Sequence, residues 1–389
     1  MIKILDNACG KNVQLLGAIA LMVLASRAII YGLAYGGLVL FQDTAPGFWA
    51  SFETLWTRWD AVHYLAIAQN GYVASPDGNF TIVFGPLFPL LTRILHGLTH
   101  NFFLAGILVS NVCLIAAGFF LFKLTRLDHD EDTAWRALKF LLIYPFSFFL
   151  SSPFSESTFL MFFILSVYLF RQQHWRSAGL SALLTILARP SAGTFLLIIL
   201  FIESAVNPDL KEALSQRNTR RFTRLIVDRL PAVLGVISGM FLYLLLNKIV
   251  LGNWLAYLSF MQTKWFHHFT WPGDCLLDQF RQLSIYTPSG NIALWVPQIC
   301  SLFTAATLTI LAAGRLRLSY VIYLAAFLYL TLSVTWLLSG ARYIATLFPL
   351  FIILGVLSKN KITDFILTFA SLMLLAFYTL AFTKGSYLM

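Results

Sequence analysis

Residues 102–122 read FFLAGILVSNVCLIAAGFFLF, twenty-one residues without a charge. A helix of that length rises about 30 Å, the thickness of a bilayer's hydrocarbon core, so the run reads as a transmembrane helix. Working outward, apolar runs recur near 13–41, 134–150, 156–170, 177–190, 192–203, 231–250, 291–312, 318–338, 343–357 and 363–382. They predict about eleven transmembrane helices. The composition agrees. The chain has 389 residues, 59% of them hydrophobic and 11% charged, against roughly 25% charged in soluble proteins. A soluble cytosolic enzyme is excluded. The 36 Phe, 15 Tyr and 10 Trp carry too much apolar surface for intrinsic disorder. The expected fold class is an all-α polytopic membrane protein. Without internal repeats or low-complexity tracts, it forms one domain over 1–389.

The net charge is 27 − 17 = +10. In a membrane protein, excess Lys and Arg mark cytoplasmic loops, so nucleic acid is not an expected partner. The segment 203–230 holds Lys211, Arg217, Arg220, Arg221, Arg224 and Arg229, and further basic residues flank helices at Lys123, Arg126, Arg171, Arg176, Arg315, Arg317, Lys359 and Lys361. All fall on one side if the N-terminus is cytoplasmic and 84–99 does not cross. That stretch contains Gly85, Pro86, Pro89, Arg93 and His96, and suits the interface better than a span. Segments 42–100 and 251–290 are then extracytoplasmic loops, the first with juxtamembrane helices. The 203–230 loop reads as a solvated connector beside anionic headgroups. Cys9, Cys113, Cys275 and Cys300 show no CxxC or metal-ligand spacing, so neither a disulfide framework nor a metal site is expected. The sequon Asn79-Phe80-Thr81 means nothing in a bacterial host.

The outer segments carry the chemistry. Residues 56–72 read WTRWDAVHYLAIAQNGY, with positions 56, 59/60, 63/64 and 67 at helical spacing. Ser51 is the expected cap of this helix and Gly71 its stop. One stripe carries Trp56, Trp59 and Tyr64, which suit a membrane interface, with Asp60 and His63 one turn apart. An acid desolvated among tryptophans gains proton affinity, as a general base requires, while Arg58 pushes the other way. The residues alone equally allow an anchor helix with Asp60 facing water. Arg189 at a helix break and Arg342 at a helix end are costly in apolar surroundings unless paired. Arg27, inside the first span, is expected to line a cavity or meet an acid. Glu156 starts a helix, where the dipole favours an acid. His63 reads as a packing residue or as a ligand for a hydroxyl. Trp254, Trp265 and Trp271 read as interface anchors, and His267-His268 show no ligand spacing.

Arg58-Trp59-Asp60 with Tyr64, Ile67-Ala68 and Gly71-Tyr72, followed by Phe84-Gly85-Pro86-Leu87-Phe88-Pro89, resembles the signature of the PIG-V family. These are the GPI mannosyltransferase 2 proteins and their bacterial relatives, in the GT-C superfamily of polytopic glycosyltransferases. Three further stretches resemble the family's motifs in order: Tyr144–Phe149 with Ser155-Glu156-Ser157, Ala188–Gly193, and Gly340–Tyr343 with Phe348-Pro349-Leu350. The resemblance implies a GT-C-like fold. It also implies inverting transfer of mannose from a polyprenyl- or dolichyl-phosphate donor to a lipid-linked or glycan acceptor, on the extracytoplasmic or luminal side. Inversion needs one base, for which Asp60 is the candidate. A leaving lipid phosphate needs positive charge, for which Arg58, Arg189 and Arg342 are candidates. His63, Tyr64 and Glu156 would hold the acceptor or the sugar. No cofactor and no divalent metal is expected, and the partners are membrane lipids, the polyprenyl-phosphate sugar and its acceptor. The expected location is a bacterial plasma membrane, or the endoplasmic reticulum in a eukaryotic host. The alternative is a transporter or lipid flippase. The polar groups gathered on one face, with no inverted repeat, favour the enzyme.

Overall fold

The computed structural model describes residues 2–41, 47–73 and 80–385, with side chains over 10–41, 47–73 and 81–385. Asn79 of the sequon lies outside them. The first third comprises α1 (Ile2–Phe41), α2 (Phe48–Trp56), α3 (Asp60–Asn70), a 3-10 turn at Phe80–Val83, α4 (Leu87–Thr99), α5 (Phe102–Thr125) and α6 (Glu131–Leu142). After a second 3-10 turn at Ser147–Ser151 come α7 (Glu156–Arg171), α8 (Trp175–Ala188), α9 (Pro190–Gly193), α10 (Leu196–Ala205), α11 (Pro208–Ser215) and α12 (Thr219–Leu251). The last third holds α13 (Ala256–Thr263), α14 (Pro272–Ile285), α15 (Pro288–Gly290), a π turn at Asn291–Trp295, α16 (Val296–Ala312), α17 (Leu318–Leu332), α18 (Gly340–Ile344), α19 (Phe348–Leu357) and α20 (Lys361–Thr383).

Five stretches are long and apolar enough to cross a membrane: Gly10–Phe41, Phe102–Thr125, Thr219–Leu251, Pro288–Ala312 and Lys361–Thr383. The pair Pro190–Ala205 and Pro208–Ser215, bent by 54°, makes a sixth. The chain is a multi-pass membrane protein. The opening stretch is α5, buried among α1, α4, α6 and α7, and capped by Asn101, whose side chain accepts from Leu104 N at 2.9 Å. The interfacial reading of 84–99 corresponds to α4, which exposes the stripe Leu90, Ile94 and Leu98.

Several expected helices are broken. The run 134–150 ends at Leu142, because Pro145 disfavours helical backbone before it. Here Arg27 departs from expectation: among the described residues it meets carbonyls rather than an acid. Its guanidinium, buried, donates to Leu142 O and Ser147 O at 2.7 Å each and to Ser151 Oγ at 3.2 Å. It thereby satisfies carbonyls that the break leaves open, a necessity where water is absent. The run 318–338 stops at Leu332, and 343–357 splits into α18 and α19, with Pro349 in the first turn of the latter. The stretch around Asp60 is two helices, not one. Ser51 lies inside α2 rather than ahead of a helix, whereas Gly71, at φ +77°, ends α3 as expected.

Helices α8 and α12 pack with their backbones in direct contact at glycines. A Cβ on Gly235 would stand 2.0 Å from Gly179 O, and one on Gly179 2.2 Å from Pro231 O. Small residues let the two backbones touch, the usual basis of helix association in lipid. Gly235→Leu should therefore cost about 2 kcal/mol or more by overpacking, read as a lower melting temperature in detergent. Gly36→Leu, with nothing within 4 Å of its would-be Cβ, should leave the melting temperature unchanged. Equal melting of both variants would contradict the close packing.

Candidate active site

Four breaks in helices place four charged side chains together. Asp60 is the first residue of α3, after Trp59 at φ +50°. A bulky residue in that region is strained and must be held by its surroundings. Trp59 is held between Phe149, at a ring-centroid distance of 6.3 Å, and Phe382, at 5.0 Å. Glu156 is the first residue of α7. Arg189, in extended backbone, ends α8 and precedes Pro190 of α9. Arg342 lies in the first turn of α18, after Ser339 at φ +68°. Both acids thus sit at helix N-termini, where the backbone dipole stabilises them.

The four form a chain of ion pairs. Asp60 Oδ2 lies 2.7 Å from Arg342 Nη2, Arg342 Nε lies 3.1 Å from Glu156 Oε1, and Arg189 Nη1 donates to Glu156 Oε1 at 2.8 Å. Side-chain exposure is 1% for Glu156, 6% for Arg342, 17% for Arg189 and 21% for Asp60. Glu156 is therefore the hidden centre, and Asp60 and Arg189 are the members a ligand can reach. Two positive and two negative charges cancel, so burial is tolerable. Aromatic rings complete the setting. Arg342 Cζ lies 5.4–5.7 Å from the centroids of Phe149, Phe154 and Tyr343, and Arg189 Cζ 5.3 Å from Tyr343. Satisfaction is incomplete: Glu156 Oε2 and Arg342 Nη1 are buried with no hydrogen-bond partner among the described residues. Unpaired buried polar atoms are uncommon and are expected at functional sites, where stability is given up.

The surroundings fix this geometry. Tyr64 OH and Ser155 Oγ lie 2.6 Å apart, tying α3 to the start of α7. Tyr144 OH donates to Ala341 O at 2.8 Å, and Gly340 N donates to Gln298 Oε1 at 2.8 Å. Gln298 and Gln279 also donate to Leu337 O, so two buried amides from α14 and α16 pin the loop that carries Arg342. At Gly85 a Cβ would stand 2.3 Å from Ala188 O, which is why Gly is needed where this segment presses on the Arg189 turn.

A cavity of about 150 Å³ opens here, and Asp60, Tyr64, Arg189, Arg342 and Tyr343 line it. It adjoins an apolar groove of about 640 Å³ between α9, α12, α13 and α17. Arg189, Pro190, Ser191, Tyr257, Met261, His267 and Tyr343 belong to both.

Of the residues singled out in the sequence, Asp60, Glu156, Arg189, Arg342 and Tyr64 come together. Arg58 does not. Its Nη1 donates to Phe382 O at 2.6 Å, so it caps the C-terminal end of α20 instead of reaching the cavity. His63 is outside the cavity wall. Its ring stacks on Phe84 at 5.4 Å, and burial pushes its pKa below the usual 6.5, with Asp60 partly opposing, so it is neutral at pH 7. Trp56 and Tyr64 are buried, not interfacial: Trp56 stacks on Phe382 at 5.1 Å. Trp254 and Trp271 are exposed, as anchors should be, but Trp265 stacks on Trp336 and lines the cavity with His267. Gln279 and Gln298 were missed. An amide inside the apolar run 291–312 was the available signal for Gln298. Among the described residues no group of three His, Cys, Asp or Glu could hold a metal ion.

Residues 44–254, more than half of the chain, match the family described as Mannosyltransferase (PIG-V). The chain belongs to that family. It is accordingly a membrane glycosyltransferase of the mannosyltransferase type. Searches of curated proteins and of solved structures find no match. The matched region contains Asp60, Glu156 and Arg189, whereas Arg342 comes from beyond it. In this PIG-V-family protein the ion-pair chain makes a sharp demand on its members. Glu156→Gln leaves Arg189 without a carboxylate and should cost about 3 kcal/mol. Adding Arg189→Gln should recover part of that loss, because charge is matched again. Unfolding of the purified variants checks this, and strictly additive losses would sink the coupling.

Proposed function

We propose that this protein is an inverting mannosyltransferase. It takes mannose from a polyprenyl- or dolichyl-phosphate carrier and transfers it to a hydroxyl of a lipid-linked or glycan acceptor. The reaction is on the extracytoplasmic or luminal side, with the N-terminus cytoplasmic and the basic 203–230 segment beside it. In this reading the shorter helices α6, α7, α8, α17 and α19 also lie at membrane depth, and with the six longer spans the crossings number about eleven.

The observation that carries the reading is that one reachable carboxylate and one reachable guanidinium share a cavity that runs into an apolar groove. Exposed Leu255, Leu258 and Leu330 open that groove to the surroundings. A polyprenyl chain would lie there, with its phosphate at Arg189 and its sugar in the cavity. Asp60 takes the proton from the acceptor hydroxyl as its oxygen attacks the anomeric carbon. The bond from that carbon to the phosphate oxygen breaks on the opposite face. The lipid phosphate leaves as an anion, stabilised by Arg189 and Arg342. Arginine suits the task because its fork meets two phosphate oxygens at once. The reading calls on no cofactor, since the arginines supply the charge. Arg58 has no part in it. Glu156 aligns both arginines rather than holding the sugar, and Tyr64 shapes the cavity. His63 steadies α3 against Phe84.

Asp60→Asn should lower transfer at least a hundredfold, the scale of a lost general base, in a purified assay with polyprenyl-phosphate mannose. Its melting temperature should stay near that of the unaltered protein, because Arg342 keeps Glu156. Full activity of this variant would remove Asp60 from the mechanism. Arg189→Ala should raise the KM for the donor more than it lowers kcat.

A further inference from the structure

The end of the bundle remote from the cavity holds a second arginine cluster. Helix α8 separates the two: Arg189 stands at its C-terminal end and Trp175 at its start, about 21 Å away along 14 residues. Arg229 on α12 lies over Trp175, its Cζ 5.0 Å from the ring centroid, and is only 6% exposed. Nη1 donates to Leu225 O at 2.5 Å. No carboxylate lies within salt-bridge distance of it among the described residues. Asp209 is taken by Arg221 at 3.1 Å, and Asp228 is exposed. Two neighbouring arginines are matched. Arg171 meets both oxygens of Asp128, at 2.5 and 2.8 Å, and Arg317 meets both oxygens of Glu203, at 2.7 Å each. Ser319 Oγ also donates to Glu203. Arg229 is thus the one of these three arginines that no carboxylate reaches directly: Asp209 and Asp228 act on it only at longer range, and the polar cavity beside it is walled by all three arginines and one carboxylate, Glu203.

Arg229 lies where two cavities meet. One is polar, about 170 Å³, with Arg171, Arg317, Gln173 and Asn207 in its wall. The other is an apolar groove of about 520 Å³ between α10 and α12, lined by Leu197, Phe201, Ile226, Leu230 and Val233. Phe201 and Leu230 are exposed, so the groove opens sideways. A nearly buried cation with no directly paired carboxylate is costly unless an anion reaches it. An apolar groove in line with that cation fits a chain attached to the anion.

We propose that this is a binding site for an anionic phospholipid, separate from the transferase cavity and independent of how that cavity works. The phosphodiester pairs with Arg229 and accepts from the amides of Gln173 and Asn207, and an acyl chain lies between α10 and α12. Net negative charge is what the site selects, because the cavity wall carries three arginines against the single carboxylate of Glu203 and a headgroup that is itself cationic would be repelled. The site lies at the end of the bundle that carries the basic residues, where anionic lipid headgroups are attracted.

Native mass spectrometry of the purified full chain, released from micelles with phosphatidylglycerol or phosphatidylcholine, tests the proposal. Retained phosphatidylglycerol should exceed phosphatidylcholine at least fivefold. Arg229→Gln should bring the two to equality, and Arg229→Lys should keep part of the preference. Millimolar inorganic phosphate should not displace the bound lipid; displacement would make this a site for a free anion and overturn the proposal. Val233→Phe fills the groove without touching an arginine, and should lower phosphatidylglycerol retention with the melting temperature kept. That variant decides the matter if Arg229→Gln fails to fold. Phosphatidylglycerol retention unchanged in every folded variant would overturn the proposal.

Discussion

The chain Asp60–Arg342–Glu156–Arg189 sets the terms for the rest of the structure. Removing a guanidinium or a carboxylate from water costs several kcal/mol each, and the cost is offset only if the partners arrive in good geometry. Those partners come from α3, α7, the α8–α9 turn and α18, so three helices have to begin and one has to end around a single cavity. Stopping a helix inside a membrane protein leaves carbonyls without partners, and none can be left to water. The chain meets that demand locally. Ser110 Oγ donates to Ser152 O at 2.6 Å and Tyr31 OH to Ser151 O at 3.0 Å. Arg93 Nε donates to Ala68 O at 2.6 Å, and Tyr243 OH to Ile82 O at 2.8 Å. Arg27 does the same for the end of α6. Buried polar side chains that look extravagant one by one are the consequence of placing one charge cluster where helices end.

This explains which parts of the structure could be read from the sequence. Apolar runs reveal helices that traverse the fold, because length and the absence of charge are local properties. They do not reveal breaks well. The stop after Leu142 has a local cause in Pro145, whereas the stop after Leu332 depends on Gln279 and Gln298 holding Leu337 O from other helices. The single helix expected around Asp60 fails for a similar reason: no periodicity announces that Trp59 will adopt a left-handed backbone between Phe149 and Phe382.

Among the arginines the same distinction operates. Cost in apolar surroundings marks Arg27, Arg189 and Arg342 alike as needing partners, but not which partners. Carbonyls served Arg27 and carboxylates served the other two. Arg58 stands two residues before Asp60 in the chain, yet its guanidinium turns to Phe382 O, 324 residues away. Adjacency in sequence is a poor guide at the first residue of a helix, because neighbouring side chains there diverge by about 100° per residue. Ordered motifs fared better than single residues, since Glu156, Arg189 and Arg342 each lie in a stretch that also supplies the break placing it.

Charge balance separates the two arginine clusters, and on the proposed reading it says what each is for. The cluster at the cavity is neutral as it stands, so it exerts little net pull on an anionic donor. A donor phosphate has to compete with Glu156 for Arg189, and part of its binding energy goes into that exchange. An apolar chain can supply the difference, at about 25 cal/mol for each Å² of groove surface it covers. Binding free energy from a remote, unreactive part of the substrate then serves to orient and desolvate the reacting phosphate. The charge stabilisation of Arg189 is kept for the moment when the leaving oxygen becomes most negative. The cluster at the other end keeps one arginine, Arg229, with no directly paired carboxylate, an arrangement suited to holding an anion rather than releasing one.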